Sequence, residues 1–158
     1  MRDDEFYLRL SFAVAQRARA NGNHPFGALL VGPDGAVLME AENSCVTTRD
    51  RTGHAERNLM TQASIAYDAE FLARCTLYAS AEPCAMCAGA AYWAGVGRVV
   101  YALSERALKA LIGAHPENLT LDHDCRRVLG AGQRPVAVIG PLLEDEARRV
   151  HLDFWRPR

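Results

Sequence analysis

The sequence predicts a single α/β domain over residues 1–158, a three-layer α/β/α sandwich around a central mixed sheet of about five strands. The chain has 158 residues, of which 49% are hydrophobic, so it is long enough to bury one core. Predicted strands and helices alternate after residue 50, which indicates parallel strand pairs with helices on both sheet faces. A predicted hairpin over residues 26–41 adds an antiparallel pair at the start.

The first part of the chain is predicted to contain one helix, the hairpin and a second helix. The first segment has apolar residues at helical spacing and ends at an Asn-Gly-Asn stop. The hairpin strands are joined by a Gly-Pro-Asp-Gly turn with proline at its second position. A polar loop follows. The helix, hairpin, loop and second helix are assigned to residues 5–21, 26–41, 43–53 and 54–67.

The second part is predicted to alternate between strands and helices. Ser104 is placed as a helix N-cap, and Gly95 and Gly97 separate a helix from the next strand. Residues 113–132 contain Pro116 and several polar residues and show no periodic pattern. The strands are assigned to residues 76–80, 98–102 and 136–139, and the helices to residues 84–95, 104–112 and 144–155.

Composition argues against some classes of protein. The formal net charge is -1, so no strong overall field attracts polyanions, although arginine pairs leave open a local phosphate-contacting face. The sequence shows neither an apolar leader nor a run of about 20 apolar residues, which predicts a cytoplasmic protein without a membrane partner. Five cysteines, an odd number, favour free thiols or metal ligands over a disulfide framework.

Three residues form a candidate metal site. Cys84 and Cys87 form a Cys-x-x-Cys pair at a predicted helix start, where the helix N-terminus stabilises thiolates. His54 begins another helix and supplies a third ligand. Three protein ligands leave the fourth tetrahedral position open for water, which is typical of catalytic zinc. The sequence therefore predicts one Zn²⁺ per chain.

Glu56 is the candidate catalytic residue. A bound metal makes hydroxide available near neutral pH, but an amino leaving group must also be protonated before it departs. A carboxylate beside the metal can take the proton of the water and deliver it to the ring and to the leaving amine. Glu56 lies two residues after His54 and suits this role.

Two other interpretations of the cysteine pair remain open. A Cys-x-x-Cys motif alone is also found in redox pairs and in half of a structural zinc site. A structural site would use a fourth ligand, for which Cys45, Cys75 and Cys125 are available. A noncatalytic, zinc-stabilised binding module would have no use for Glu56.

The motifs resemble those of the cytidine deaminase-like superfamily, especially its free-base and tRNA-adenosine branch. His-Ala-Glu followed by Pro-Cys-x-x-Cys is the zinc deaminase signature. The resemblance implies a hydrolase of C–N bonds in cyclic amidines, which deaminates a heterocycle and releases ammonia. It is carried by residues 54–56 and 82–90, is extended by residues 25–28, Asn43 and 92–94, and covers about residues 5–103.

The same resemblance implies the substrate contacts. In bacterial guanine deaminases the corresponding residues imply that Phe26 stacks on the ring and that Asn43 binds its edge. They also imply that the backbone N–H of Ala55 reaches the substrate and that Trp93 lines the pocket. C-terminal aromatic residues close the pocket in several relatives, which implies this role for Trp155.

The substrate stays open between related bases. A Phe-Asp-Asp stretch of the guanine deaminases is replaced here by residues 112–118, where Glu117 or, further on, Asp122 is available to serve instead. Guanine is the first prediction, with cytosine, another aminopurine or an aminotriazine as alternatives.

The main alternative is a tRNA-specific adenosine deaminase, which uses the same motifs and flips its target base out of an RNA loop. The cationic C-terminal extension of such enzymes is here only residues 154–158. A nucleic-acid partner is therefore not expected.

Two further expectations complete the sequence-based account. Relatives pair through a sheet-flanking face, which implies a homodimer through apolar positions such as Met86, Ala90 and Tyr92. The histidines outside the motif are interpreted as surface or locally hydrogen-bonded groups: His24, His115, His123 and His151. A substrate role is considered only for His123.

Overall fold

The computed structural model describes residues 1–156; Pro157 and Arg158, the end of the short cationic C-terminus, lie outside the described residues. The elements in chain order are α1 (Asp4–Ala20), β1 (Gly27–Val31), β2 (Val37–Glu42), α2 (Cys45–Thr48), α3 (Ala55–Ala66), α4 (Ala69–Leu72), β3 (Thr76–Ala81), α5 (Ala85–Ala94), β4 (Arg98–Leu103), α6 (Glu105–Ile112), α7 (Cys125–Gly130), β5 (Ala137–Ile139) and α8 (Glu144–Arg148), with a 3₁₀ turn at Arg149–His151.

The five strands form one mixed sheet in the order β2-β1-β3-β4-β5. Strand β1 pairs antiparallel with β2 and β3, while β3, β4 and β5 run parallel. The predicted mixed α/β sheet of about five strands is thereby confirmed. The parallel half places the carboxyl ends of β3 and β4 at one edge, together with the start of β1 and the end of β2.

Helices cover both faces of the sheet. Every residue of β1 is buried, so the side chains on both of its faces are removed from water. Helix α1 packs on β1, β2 and β3, and α8 packs on β4. Helix α3 packs on β1 and β2 and also against α5, which in turn contacts α7. Residues 1–156 contain no helix that is both long and apolar enough to cross a bilayer.

Gly27 allows α1 to pack closely on the sheet. A Cβ atom at this position would lie 2.5 Å from the Ala15 nitrogen and 2.6 Å from the Ser11 oxygen. Only a residue without a side chain fits between these backbone atoms. The glycine that follows Phe26 thus sets how closely α1 approaches the first strand.

Two short helices were missed because contacts distant in sequence stabilise their first turns. In α2, Asn23 Oδ1 accepts hydrogen bonds from the Val46 and Thr47 backbones at 3.1 and 3.0 Å. In α7, within the segment that showed no pattern, the Cys125 N–H donates to the Glu82 carboxylate at 2.8 Å. These two contacts cannot be predicted from the sequence of the helix itself, because the accepting side chains lie far away in the chain. The four-residue helix α4 was missed as well.

The last helix is shorter than predicted. The sequence predicts a helix over residues 144–155, but α8 ends at Arg148 and the chain continues only as a 3₁₀ turn. Asp153 then adopts a left-handed backbone with φ 61°, which a helix cannot include. The chain turns there, because Trp155 packs back against the rings of His151 and Phe26.

Candidate metal centre and active-site cleft

Three predicted ligands meet where two helices begin. His54 is the N-cap of α3 and Cys84 is the N-cap of α5, while Cys87 lies one turn further along α5. His54 Nδ1 lies 3.6 Å from the Sγ atoms of both cysteines. The three side-chain atoms lie within 4.8 Å of one another. The two helix N-termini thus direct one nitrogen and two sulfur atoms to one point.

This spacing fits a tetrahedral zinc ion. Bonds of about 2.3 Å to sulfur and 2.0–2.1 Å to nitrogen, at a tetrahedral angle, separate N and S by about 3.6 Å. The observed separations are 3.6 Å. Within the described residues, no fourth cysteine, histidine or carboxylate joins this group, so the donor set leaves one coordination position for another ligand. Cys45, Cys75 and Cys125 all lie outside it.

The two thiols differ in electrostatics. The pKa of Cys84 is lowered to about 4, because the Cys87 thiol and then His54 hydrogen-bond its thiolate. The same pairing with Cys84, together with burial, raises the pKa of Cys87. The pKa of His54 is raised by its hydrogen bond to Cys84. Without a metal the pair therefore holds one thiolate, and a metal that binds both sulfurs displaces the Cys87 proton.

Glu56 lies beside these ligands and is buried. Its side chain is 4% exposed, and burial raises its pKa to about 7, against the opposing effect of His54. A carboxyl group in this range both accepts and donates a proton near neutral pH. It belongs to the first turn of α3, two residues after His54, so the local helix geometry sets its position relative to the metal ligands.

A cleft of about 780 Å³ opens above the three ligands. Phe26 and Asn43 line it, together with His54, Glu56 and Cys84. Phe26 precedes β1 and Asn43 follows β2, so both reach the cleft from the antiparallel half of the sheet. The structure brings these predicted substrate residues to the same cavity as the predicted metal ligands.

Asn43 is held in one orientation. Its Oδ1 accepts a hydrogen bond from the Cys45 N–H at 3.0 Å, and its Nδ2 lies 3.4 Å from Cys45 Sγ. The side chain is 2% exposed. Its amide retains one N–H and one lone pair for a ligand.

Three predicted substrate contacts do not line the cleft. Trp93 is 85% exposed on α5 and is not among the residues that line the cleft of this chain, so its role in a pocket stays a prediction. Trp155 is half-buried behind Phe26 and His24 rather than on the cavity surface. Ala55 is fully buried beneath His54 and Glu56; its N–H belongs to the first turn of α3, where no intrahelical acceptor is available.

Phe26 belongs to a cluster of rings that we call the aromatic wall. Its members are His24, Phe26, His151 and Trp155. Trp155 Nε1 donates to His151 Nδ1 at 2.9 Å, and their rings stack with centroids 6.3 Å apart. His24, His115 and His151 are buried, so they are not surface groups. His115 and His151 accept hydrogen bonds from the nearby Glu117 N–H and Trp155 N–H, as the alternative of local hydrogen bonding predicts. Burial lowers the pKa of His151 to about 4. No motif announced these contacts, because they join opposite ends of the chain.

Two buried glutamates were also missed. The Glu82 carboxylate accepts from the backbones of Glu105 and Cys125 at 3.0 and 2.8 Å, and thereby connects β3 to the starts of α6 and α7. Glu105 is 6% exposed and lines the cleft, and burial raises its pKa to about 8. In the sequence, Glu105 stands only at the predicted start of a helix. That position is the signal that could have indicated a functional role for it.

The lining of the cleft includes both charged and apolar side chains. Arg49 and Arg51 line it, as do Leu119 and Leu121. Of the two acidic residues considered for the substrate, Glu117 lines the cleft, whereas Asp122 is paired with Lys109 at 3.6 Å and does not line it.

Residues 1–103 match the family described as the cytidine and deoxycytidylate deaminase zinc-binding region. The chain is 41% identical over 152 residues to a probable cytosine deaminase from Schizosaccharomyces pombe, which covers 96% of this chain and 92% of that protein. It is 39% identical over 102 residues to guanine deaminase from Bacillus subtilis, 65% of each protein.

More distant similarity reaches a third activity and a solved structure. The chain is 30% identical over 102 residues to a tRNA-specific adenosine deaminase from Aquifex aeolicus, 65% of this chain and 67% of that protein. The structure of NE0047 in complex with 2,6-diaminopurine is similar with a TM-score of 0.80 and 28% identity, over 95% of this chain and 80% of that chain.

Proposed function

This chain belongs to the cytidine and deoxycytidylate deaminase zinc-binding family, and we propose that it hydrolytically deaminates a free nucleobase and releases ammonia. Zinc-dependent deamination of nucleobases is the activity that its relatives support. Guanine is the first candidate base and cytosine the second. The observation that carries the proposal is the His/Cys/Cys group, at tetrahedral spacing beneath a cleft, with the buried Glu56 carboxyl beside it.

His54, Cys84 and Cys87 would hold one zinc ion, the expected metal for this donor set. A bound zinc ion would supply a Lewis acid that lowers the pKa of a water molecule toward neutrality. The N-termini of α3 and α5 direct their partial positive charges at the same point and stabilise the thiolate ligands.

Glu56 would carry the protons of the reaction. The attacking water must lose a proton, a ring nitrogen must gain one, and the departing amine leaves as ammonia only after it is protonated. A single carboxyl beside the metal ligands can accept the first proton and return it in the later steps. The pKa of Glu56, raised by burial to about 7, suits this exchange.

Phe26 and Asn43 would position the base. The Phe26 ring offers an apolar face to a flat heterocycle, and the aromatic wall packs behind it. The Asn43 amide, fixed by Cys45, would present one donor and one acceptor to the ring edge. The unpaired N–H groups at the first turn of α3, which include that of Ala55, would serve a carbonyl oxygen of the base.

A free base is favoured over an RNA loop on charge and similarity. The net charge is -1, and of the lysines and arginines among the described residues only Arg49 and Arg51 line the cleft. An RNA substrate requires several phosphate contacts. The tRNA-specific relative covers 65% of this chain, whereas the probable cytosine deaminase covers 96%. Arg49 and Arg51, which line the cleft, keep adenosine in an RNA loop as the alternative to a free base.

We retain the homodimer as part of the proposal. Trp93, which is 85% exposed on α5, presents a large apolar ring on the helix where the sequence analysis placed the subunit contact. Burial of this ring against a second copy would remove apolar area from water.

An ammonia-release screen tests the proposed function. The zinc-loaded chain is incubated with guanine, cytosine, an aminotriazine and a tRNA anticodon stem-loop, and ammonia and inosine are measured. We expect release from at least one free base at a rate that changes little between roughly 50 and 200 mM salt, because few phosphates are contacted.

The Glu56→Gln variant is the matched control, because it keeps the shape of the side chain but removes the proton carrier. We expect it to retain zinc while turnover falls at least about 10²-fold. Conversion of the stem-loop with every free base inert would contradict the free-base proposal. Turnover of Glu56→Gln within a few-fold of the unmodified chain would contradict the role of Glu56.

A further inference from the structure

Besides Glu56, two glutamates lie buried close to the metal ligands or the cleft, and they differ in what their carboxyl groups bind. Glu82 accepts two backbone hydrogen bonds, so its burial is explained by the fold. Glu105 is equally buried, yet its carboxylate accepts no hydrogen bond and forms no ion pair among residues 1–156. It lines the cleft instead.

Helix capping does not explain the burial of Glu105. The N-cap of α6 is Ser104, whose Oγ already accepts from the Ala107 N–H at 3.1 Å. Acidic residues in a first helical turn are favourable beside the dipole, but Glu5 in the first turn of α1 obtains this benefit while exposed to water. Because Glu105 lines the cleft while the residue as a whole is buried, its carboxyl group is available to a ligand bound in the cleft.

The topology places Glu105 across the cleft from Asn43. Asn43 follows β2 and Glu105 follows β4 by two residues, at the same edge of the sheet, with Cys84 after the strand β3 between them. Strands β2 and β4 are three positions apart, which corresponds to roughly 14 Å at the spacing of neighbouring strands. A flat heterocycle above the metal ligands, with its hydrogen bonds on both sides, fits such a span.

The surroundings of Glu105 indicate what it would bind. The groups that act on it electrostatically are mainly acidic: Cys84, Glu56 and Glu82, opposed only by His54. An anionic substrate group would be repelled there, whereas a neutral N–H donor would satisfy the carboxylate without adding negative charge.

We propose that Glu105 is a specificity-determining residue whose carboxyl oxygen accepts a hydrogen bond from an N–H group on the edge of the heterocycle opposite Asn43. This proposal rests on the proposed function and narrows its substrate class. The preferred base is a neutral heterocycle that carries, besides the amine that leaves, a free ring N–H on that second edge. A base whose ring nitrogen at this position is substituted loses the contact.

Equilibrium binding tests the proposal separately from turnover. Zinc-loaded full-length chains with Glu105→Met, which keeps length but removes the acceptor, and Glu105→Gln, which keeps one acceptor oxygen, are compared with the unmodified residue. All carry Glu56→Gln so that the base is not consumed. Glu70→Gln, an exposed carboxyl on α4, is the control. The probes are guanine, cytosine and their ring N-methyl isomers, titrated by calorimetry, and thermal unfolding of each variant is recorded.

We expect Glu105→Met to weaken binding of the better base at least about tenfold, within the range expected when a buried N–H group loses its hydrogen-bond partner. Glu105→Gln should recover part of this affinity. One N-methyl isomer should bind weakly to the chain in which Glu105 is intact and equally weakly to the chain with Glu105→Met. The unfolding temperature of Glu105→Met should equal or exceed that of the control, because an unpartnered buried carboxyl is removed.

Unchanged affinity in Glu105→Met, an equal loss for every isomer, or absence of base binding by the chain with Glu105 intact would each overturn the proposal. A drop in unfolding temperature that parallels the loss of affinity would assign Glu105 to the fold instead. Ammonia release by the chain without substitutions reports on the proposed function independently. If the chain without substitutions deaminates a base and Glu105→Met leaves the affinity for that base unchanged, only the role of Glu105 is refuted.

Discussion

The floor and the wall of the cleft are built in different ways. The floor consists of His54, Glu56, Cys84 and Cys87, all within the first turns of two helices or at their N-caps. The aromatic wall joins residues 24 and 26 to residues 151 and 155 by ring packing and one side-chain hydrogen bond. The floor depends on local helix geometry, whereas the wall depends on where the two ends of the chain meet.

This difference predicts separate consequences for substitutions. A change in the floor removes a metal ligand or a proton carrier and leaves the remaining groups without their function. A change in the wall removes packing area that neighbouring rings partly replace. We therefore expect large, all-or-none effects in the floor and graded effects in the wall.

The largest expected effect is that of Cys87→Ala. Loss of one of three protein ligands should reduce the zinc content well below one ion per chain. Turnover should fall by more than about 10²-fold, because 10²-fold is the upper range for loss of a residue that only hydrogen-bonds a metal ligand. The unfolding temperature should fall as well, because metal binding is coupled to folding. Zinc content measured by elemental analysis, together with thermal unfolding, checks this.

Cys75→Ala is the control for this substitution. Cys75 is buried at the start of β3, outside the ligand group, and its thiol hydrogen-bonds the Phe71 carbonyl. It should keep zinc and lose only about 1 kcal/mol of unfolding free energy, the cost of a small cavity. Full zinc occupancy in Cys87→Ala would show that this cysteine is not a ligand.

Substitution of Trp155 should have an intermediate effect. Trp155→Ala removes a half-buried ring that packs on His24, Phe26 and His151. We expect a loss of about 2 kcal/mol of unfolding free energy, less than for a fully buried aromatic residue. KM for the base should rise more than kcat falls, because Phe26 loses its support while the floor is untouched.

Trp155→Phe separates packing from hydrogen bonding, because it keeps a ring but lacks the donor to His151 Nδ1. It should cost about 1 kcal/mol. Chemical denaturation and steady-state kinetics of both variants provide the measurements. If Trp155→Ala lowered kcat as strongly as Cys87→Ala, the floor and wall would not be independent.

At neutral pH the smallest expected effect is that of His151, which contributes a dependence of stability on pH at lower pH. Burial lowers its folded pKa from the ordinary 6.5 to about 4, and Arg19 is the charged group that adds to this shift. Above pH 6.5 the imidazole is neutral in both states, and the stability it permits is fully present. As the pH falls the unfolded state binds the proton first, so stability decreases down to about pH 4, by up to about 3 kcal/mol.

His151→Gln should flatten this part of the profile. Denaturant unfolding at pH 7, 6, 5 and 4 compares the two chains, and carboxylates such as Asp4 contribute equally to both. Parallel profiles would mean that His151 is protonated in the folded protein or exposed in solution.

The elements that could be predicted are those with a local signature. Helical spacing placed α1 and α3 within about a residue of their observed ends, and the turn at residues 32–35 placed the hairpin. Ser104 was correctly identified as the N-cap of α6, since its side chain accepts from the Ala107 N–H. By contrast, α7 has only the single local signal of its N-cap Asp124, and its first turn also depends on the Glu82 carboxylate, which lies 43 residues earlier in the sequence.

The same rule holds within the site. The short spacings His-x-Glu and Cys-x-x-Cys were sufficient to propose the floor, because three to four residues in a helix determine which side chains share a face. Trp93 lies outside the cleft of this chain for the corresponding reason. Its neighbours in the motif face the core of the domain, but one position further around α5 the side chain points outward, where it is 85% exposed.

By itself the sequence determined the family, the mixed α/β fold and the groups available for metal binding and proton transfer, because these follow from local periodicity and from short motifs at helix starts. The tertiary structure alone decided which further groups share the cleft. It placed Glu105 and Asn43 in the same cleft, buried three histidines that were predicted to be surface or locally hydrogen-bonded groups, and packed Trp155 behind Phe26. Side chains far apart in sequence meet only when the sheet order brings their strands to one edge, and that order is set by packing of the whole core rather than by any segment of it.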